Sequence, residues 1–206
     1  MKKVITFILT AMMITGLVSC SKDKEKSSST KDNTSSSVSE SSSEAETSLA
    51  ESPLEVLNTV WATYEEAEKF PIAGGDFSEE NNNMEGPGKF SIEDAEAIDS
   101  QLGFPVASIA KIEDAASIVH MMNANTFTCG AYRVKKGEDI KAVADEIKAN
   151  IIARQWMCGI PEKYAILTAG VDVICVFGAV NIVDVFTAKV KTSYPTTETV
   201  SEDNIA

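Results

Sequence analysis

Hydrophobic residues after position 52 recur first at the spacing of an α-helix. Leu57, Trp61 and Tyr64 lie on one face of a helix predicted over residues 52–69. Ser52 is a suitable N-cap, because its hydroxyl can accept a hydrogen bond from the backbone of the first turn. A proline at the next position is also typical of a helix start. The pattern therefore predicts that the folded part begins with an amphipathic helix.

Two more helical segments are predicted before the pattern changes. One covers residues 91–103 and the other covers residues 112–122. Residues 71–89 separate the first helix from the second and are rich in Gly, Asn and Pro, which favour turns. We expect a long loop there, and long loops in compact domains are often functional.

The remaining pattern alternates between strands and helices. Residues 171–177 have apolar side chains on both faces of a strand, which favours burial on both sides. We expect an α+β fold, with about three N-terminal helices followed by a β-α-β-β-α unit with a small sheet. The unit consists of strands at 126–135, 163–168 and 171–177 and of helices at 140–156 and 180–191.

The first fifty residues have a different composition from the rest. From residue 21 to about residue 52 the chain is Ser-rich and holds almost no large apolar side chains, so burial cannot offset the entropy of ordering this segment. Thirty such residues have a root-mean-square span of about 30 Å. The predicted organisation is a signal peptide at 1–19, a disordered tether at 20–51, one α+β domain at 52–194 and a flexible tail at 195–206.

The N-terminal apolar stretch is too short to cross a bilayer as a mature helix, and it ends in Leu17-Val18-Ser19-Cys20. This ending resembles the lipobox of bacterial lipoproteins. The resemblance implies cleavage before Cys20, a thioether-linked lipid with acyl chains such as palmitate, and a membrane anchor on the extracytoplasmic face of the cell membrane. The alternative is an ordinary signal peptide whose cysteine is coincidental.

Three segments of the last third follow one another in a distinctive order. They are the strand end at 132–135, the helix at 139–156 and the Pro-Glu-Lys-Tyr sequence at 161–164. In this order, residues 127–194 resemble a family of uncharacterised lipoproteins from Gram-positive anaerobes. The family has no assigned activity, so the resemblance implies the order of elements and the location and adds nothing to mechanism.

The charge balance argues against one class of partner. The chain has 18 Lys and Arg residues against 31 Asp and Glu residues, a net charge of −13, whereas nucleic-acid binding needs clustered basic residues. No CxxC, phosphate-binding loop or nucleophile-elbow motif is present, and the chain has a single histidine. We therefore predict no cofactor and no metal site.

The cysteines leave alternatives open. If Cys20 carries lipid, Cys129, Cys158 and Cys175 remain, so one disulfide and one free thiol are the most that can form. Cys129 could pair across the sheet with Cys175, or it could reach Cys158, or all three could be buried thiols. His120 falls on the predicted third helix, where we interpret it as a structural or surface residue.

The long loop is the best candidate for a contact surface. Its acidic residues between 76 and 85 could bind Ca²⁺ weakly, although a solvated loop is the default interpretation. We expect a non-enzymatic binding module, anchored through Cys20, with a possible envelope protein as partner. The alternatives are a cell-envelope enzyme with a carboxylate-based site and a receptor for a small ligand or cation. The predicted binding residues are Phe70, Pro71, Asp76, Phe77 and Phe90.

Overall fold

A computed structural model describes residues 48–157 and 159–205, which form a seven-stranded antiparallel sheet with helices against both faces. The helices are α1 (Pro53–Ala62), α2 (Ala95–Leu102), α3 (Ile140–Ala153) and α4 (Val180–Ser193). The strands are β1 (Ile72–Ala73), β2 (Gly88–Lys89), β3 (Ile112–His120), β4 (Phe127–Val134), β5 (Lys163–Ala169), β6 (Asp172–Gly178) and β7 (Glu198–Asn204). Two 3-10 helices, Val106–Lys111 and Ala124–Thr126, precede β3 and β4.

The strand order is β1-β3-β4-β6-β5-β7, and β2 also pairs with the outer edge of β3. Helices α1 and α4 cover one face of the sheet, and α2 and α3 cover the other. The side chains of β4 and β6 alternate between these two apolar layers, because successive residues of a strand point to opposite faces. Burial of β6 on both faces, which its sequence predicts, is therefore confirmed.

The predicted fold class, α+β with about three N-terminal helices and a small sheet, is wrong. The segment at 112–122, for which the pattern predicts a third helix, contains strand β3 in place of a helix. Because β3 is covered on both faces, its apolar residues occupy neighbouring positions and the two-residue period of a strand is hidden. The sheet has seven strands, so the small sheet of the prediction is also corrected.

The predicted long loop and the predicted tail both contribute to the sheet. Residues 71–89 contain β1 and β2, which pair with β3. The segment at 195–206, expected to be flexible, contains β7, which pairs along β5. Most side chains of β7 are exposed, so its sequence looks like that of a polar tail although its backbone completes the sheet.

The helix boundaries also differ from the predictions at three places. Ser52 caps α1 as expected, since its hydroxyl accepts from the Glu55 N–H at 3.1 Å, but the helix ends at Ala62 rather than at residue 69. The second helix has Asp94 as its N-cap, three residues after the predicted start at residue 91. Helix α3 begins where the pattern predicts it but ends at Ala153 rather than at residue 156, whereas α4 lies where the pattern predicts it.

One ion pair joins two central strands below the surface. Arg133 on β4 donates two hydrogen bonds of 2.9 Å to the carboxylate of Asp172 on β6, which is fully buried. Burial raises the pKa of Asp172 and the bonds from Arg133 oppose that shift, while the same bonds raise the pKa of Arg133. Arg133 also donates to the carbonyls of Ala50 and Glu51 just before α1. The pair thus fixes the point where the N-terminal segment joins the fold.

Replacing Asp172 should destabilise the fold strongly. In Asp172→Ala the Arg133 charge keeps its burial but loses its partner, so we expect the free energy of unfolding to fall by about 3–5 kcal/mol. Urea denaturation measures this change. The matched control is Lys141→Ala, which removes an exposed pair with Glu198 and should cost less than about 1 kcal/mol. Equal losses in the two variants would contradict a structural role for the buried pair.

Candidate functional site

A cleft of about 450 Å³ opens at the end of the sheet where β3 ends and β4 begins. It lies beside the α2/α3 face and is bordered by the segment that follows α3. The residues that line the cleft are Phe77, Ser100, Gln101, Val119, Ala124, Asn125, Thr128, Arg154, Gln155, Trp156, Met157 and Phe177.

No helix within the described ranges is both long and apolar enough to span a bilayer.

Trp156 forms one apolar wall of the cleft. Its ring packs on Phe177 of β6, with the ring centroids 5.0 Å apart, and the Arg154 guanidinium lies 5.1 Å from the Trp156 centroid. Arg154 in turn donates to the carbonyls of Asp99 and Ser100 in the last turn of α2, where a cation complements the helix dipole. The wall is therefore fixed between the end of α2 and the end of β6.

The rim of the cleft carries exposed apolar side chains. Phe77 is 58% exposed and Met157 is 80% exposed. The amide nitrogen of Asn125 donates to the carbonyls of Met157 and Gly159, at 3.0 and 2.9 Å, and so fixes the backbone of this segment. Large apolar side chains that are exposed beside a cleft are typical of a contact surface.

The position of Phe77 depends on Asp76. The Asp76 carboxylate accepts hydrogen bonds from the Ser78 N–H at 3.0 Å, from the Asn81 side chain at 2.8 Å and from the Ser91 N–H at 3.0 Å. Phe77 has φ 61°, in the left-handed region that a bulky side chain rarely adopts. Such a conformation costs about 1–3 kcal/mol, and the hydrogen bonds of Asp76 offset it. The strained turn directs Phe77 to the cleft.

The predicted binding residues do not form one surface. Phe70 packs in the α1/α4 layer, whereas Phe90 is buried in the α2/α3 layer on the opposite face of the sheet. Pro71 is exposed, and its carbonyl accepts from the backbone of the β3–β4 connection. Asp76 organises the loop, and Phe77 alone among the five lines the cleft.

Sequence reasoning missed Trp156 and Met157, which complete the cleft. Both follow the amphipathic helix α3 and precede a Gly-Ile-Pro stop at 159–161, so the pattern assigned them to a helix end. The sequence did contain an indication of an exposed apolar site here, because large apolar side chains in a short connection have no helical face on which to be buried. Their meeting with Phe77, far away in sequence, could not be inferred from it.

His120 has a structural role in the described part of the chain. It is the last residue of β3, not a helix residue as predicted, and it stacks on Phe70 with a centroid distance of 5.5 Å. Its Nδ1 accepts from the N–H groups of Met122 and Asn123, at 3.2 and 3.3 Å. His120 therefore closes the β3–β4 connection.

Cys129 and Cys175 cannot form a disulfide across the sheet, because their side chains point to opposite faces of it. Cys129 and Cys175 lie on neighbouring strands, but Cys129 points into the α1/α4 layer and Cys175 into the α2/α3 layer. Both are free, and burial raises the pKa of Cys129 well above its usual value and that of Cys175 to about 12. Neither thiol is activated as a nucleophile. Cys158, Cys20 and the tether at 21–47 lie outside the described residues.

Comparison with known proteins does not identify the site. No protein-family model matches the chain, and no curated protein or solved structure matches it. Within the ranges that the structure describes, no three His, Cys, Asp or Glu side chains are grouped so that they could hold a metal ion. The resemblance to lipoproteins stays a prediction.

The loop that directs Phe77 should respond to acid. Partial burial disfavours ionisation of Asp76, but the hydrogen bonds from Ser78, Asn81 and Ser91 outweigh it and lower its pKa from 3.8 to about 2. The carboxylate therefore stabilises the folded loop above about pH 4, and this contribution is lost as the pH falls toward 2. In an NMR titration, the Ser91 amide should shift with a midpoint near pH 2, and the shift should vanish in Asp76→Asn. A midpoint near pH 4 would contradict the hydrogen bonds.

Proposed function

We propose that the chain is a membrane-anchored extracytoplasmic lipoprotein whose folded part is a non-enzymatic binding module for a protein partner. The anchor is proposed from the lipobox-like ending at Cys20. The binding role is carried by one observation, which is the apolar cleft with Phe77 and Met157 held exposed at its rim. We further propose that the partner inserts an apolar side chain between these two residues.

The energetics of the rim support a protein partner. Burying apolar surface contributes about 25 cal/mol per Å² before the entropy of association is subtracted, so covering these two side chains supplies one favourable part of the contact. Met side chains adapt to differently shaped partners because they are unbranched and polarisable. A cleft of about 450 Å³ beside such a rim can accept an inserted side chain, and Phe77 and Met157 would then cover it.

The chemistry of the lining residues supports binding rather than acid–base catalysis. Arg154 is the single ionisable side chain among those that line the cleft, and its guanidinium is already hydrogen-bonded to α2. General acid–base catalysis needs a titratable group that can exchange a proton with the substrate. The described lining does not supply one, so the carboxylate-based enzyme is less well supported than the binding module.

A receptor for a small apolar ligand is the second candidate. The observation that favours it is the volume of the cleft, which falls in the range of small-molecule sites. The two candidates differ in what covers the rim. A partner protein would bury Phe77 and Met157 together, whereas a small ligand would leave much of their surface in solvent.

A photo-crosslinker at the rim tests the proposal. Benzoylphenylalanine in place of Phe77 keeps an aromatic ring at this position, and irradiation of intact cells should yield one protein adduct. The further change Met157→Glu places a charge at the contact without touching the core, and it should lower the adduct yield at least tenfold. The matched control is Ile152→Glu, which alters an apolar residue of α3 that is 59% exposed and lies outside the cleft.

The two variants separate the possible results. Loss of the adduct in Met157→Glu but not in Ile152→Glu supports a protein partner at the cleft. Equal yields in all three chains would contradict the cleft as the binding site. Absence of any adduct, together with binding of a small apolar probe detected by NMR at Trp156, would favour the receptor.

The anchor has a separate test. Cys20→Ala removes the only residue that could carry the thioether-linked lipid in the proposed lipobox. We expect metabolic labelling with radioactive palmitate to disappear and the chain to be released to the medium or to accumulate as an uncleaved precursor. A Cys158→Ala control should keep the label. Unchanged labelling of Cys20→Ala would contradict the lipoprotein assignment.

A further inference from the structure

A second cavity, of about 180 Å³, lies in the α1/α4 layer, whereas the cleft lies beside the α2/α3 face. Its lining residues come from the segment that follows α1 and from the first two turns of α4. They are Tyr64, Glu68, Phe70, Asn181, Ile182 and Val185, and none of them lines the cleft. The cavity is therefore a separate feature, and what it binds does not depend on the function proposed for the cleft.

The hydroxyl of Tyr64 is a buried polar group whose hydrogen bond is not made within the protein. Tyr64 is only 5% exposed, and its hydroxyl has no hydrogen-bond partner among residues 48–157 and 159–205. Burial raises the pKa of Tyr64, with smaller contributions from Cys129 on the sheet and from Glu68 in the cavity wall, so the hydroxyl keeps its proton and can donate it. A buried donor without an acceptor is destabilising, and a molecule that brings an acceptor to it gains a hydrogen bond.

The charged groups at the cavity already have partners. Lys189 on α4 lies with its Nζ 2.8 Å from the Glu68 carboxylate, and the same nitrogen donates to the Thr63 carbonyl at 3.0 Å. This Nζ also lies 4.5 Å from the centroid of the Tyr64 ring, where a bound cation would otherwise be attracted by the aromatic face. The cavity therefore has no unpaired charge with which to select an ion, and its chemistry favours a neutral molecule.

The rest of the lining is mostly apolar and held in place. The Phe70 ring meets the rings of Trp61 and Phe127 edge to face, with centroid distances of 5.4 and 5.2 Å. Ile182 packs against the same apolar layer from the other side. An apolar cavity of about 150 Å³ accommodates one benzene ring, so a volume of about 180 Å³ has room for a single ring with one substituent.

We infer that this cavity is a second binding site, which takes a neutral single-ring molecule carrying one carbonyl or hydroxyl oxygen. The ring packs against Phe70, Ile182 and Val185, and the oxygen accepts a hydrogen bond from the Tyr64 hydroxyl. The apolar walls supply affinity for the ring, and the otherwise unpaired donor selects for the oxygen. A hydrocarbon of the same shape fills the same space but leaves that donor unpaired.

Two probes of the same shape test the role of the hydroxyl. Cyclohexanone carries the acceptor oxygen, and methylenecyclohexane has a CH₂ group in its place. Both are titrated into the full chain and into Tyr64→Phe, and binding is followed by NMR at the methyl groups of Ile182 and Val185. We expect the preference for cyclohexanone over methylenecyclohexane to fall about fivefold in Tyr64→Phe, because one net hydrogen bond is lost. An unchanged preference would overturn the inference.

The stability of the chain without probe gives a second test of the unpaired hydroxyl. Tyr64→Phe removes a donor that has no acceptor, so its urea midpoint should be unchanged or higher. The matched control is Tyr132→Phe, which removes a buried hydroxyl that donates to the Leu102 carbonyl at 3.2 Å, and its midpoint should fall. Equal falls in both variants would show that the Tyr64 hydroxyl is already hydrogen-bonded without a ligand, and would overturn the inference.

Filling the cavity tests the location of the site. Val185 is partly exposed at the wall, so Val185→Trp can occupy the cavity without disturbing the core, and it should weaken cyclohexanone binding at least tenfold. The control Ile152→Trp changes an exposed residue of α3, on the opposite face of the sheet, and should leave binding unchanged. Equal affinities in the two variants, or no saturable methyl shift with either probe in the unaltered chain, would overturn the site.

Discussion

Burial of the central strands on both faces is the constraint on which the rest of the structure depends. Both faces of strands β4 and β6 are apolar and buried, so one pair of helices has to cover each face of the sheet. Antiparallel pairing joins the backbones of the central strands by hydrogen bonds while their side chains alternate between the two layers. The same alternation places the side chains of Cys129 and Cys175 on opposite faces of the sheet, although the two residues lie on adjacent strands.

The same constraint locates the candidate site. Helices can cover the middle of a sheet, but the ends of the strands are left to connections, and this is where Phe177 is covered by Trp156. The cleft forms where that cover is incomplete, between the connection after α3 and the loop that carries Phe77. At the opposite end, the Arg133–Asp172 pair fills the corresponding position and holds the N-terminal segment. The two ends of the sheet therefore differ in chemistry as well as in place.

The predictions from sequence succeeded where apolar residues recur at a single spacing along the chain. Helices α3 and α4 have a single apolar stripe, and Ser52 caps α1 as its hydroxyl allows. They failed for β3, whose two apolar faces hide the strand period, and for β7, whose exposed side chains hide its pairing. At the site, Phe77 was found because it lies in a conspicuous loop. Trp156 was missed because nothing local shows that it meets that loop.

The sequence by itself determined the composition of the segments. It showed a polar N-terminal stretch behind a lipobox-like ending, a strongly acidic chain, the helices with one apolar face, and the strand that is apolar on both faces. The tertiary structure alone decided which strands pair, on which face each cysteine lies, and that Phe77, Trp156 and Phe177 surround one cleft. The physical reason is that local propensity acts over a few residues, whereas strand pairing and burial join residues distant along the chain.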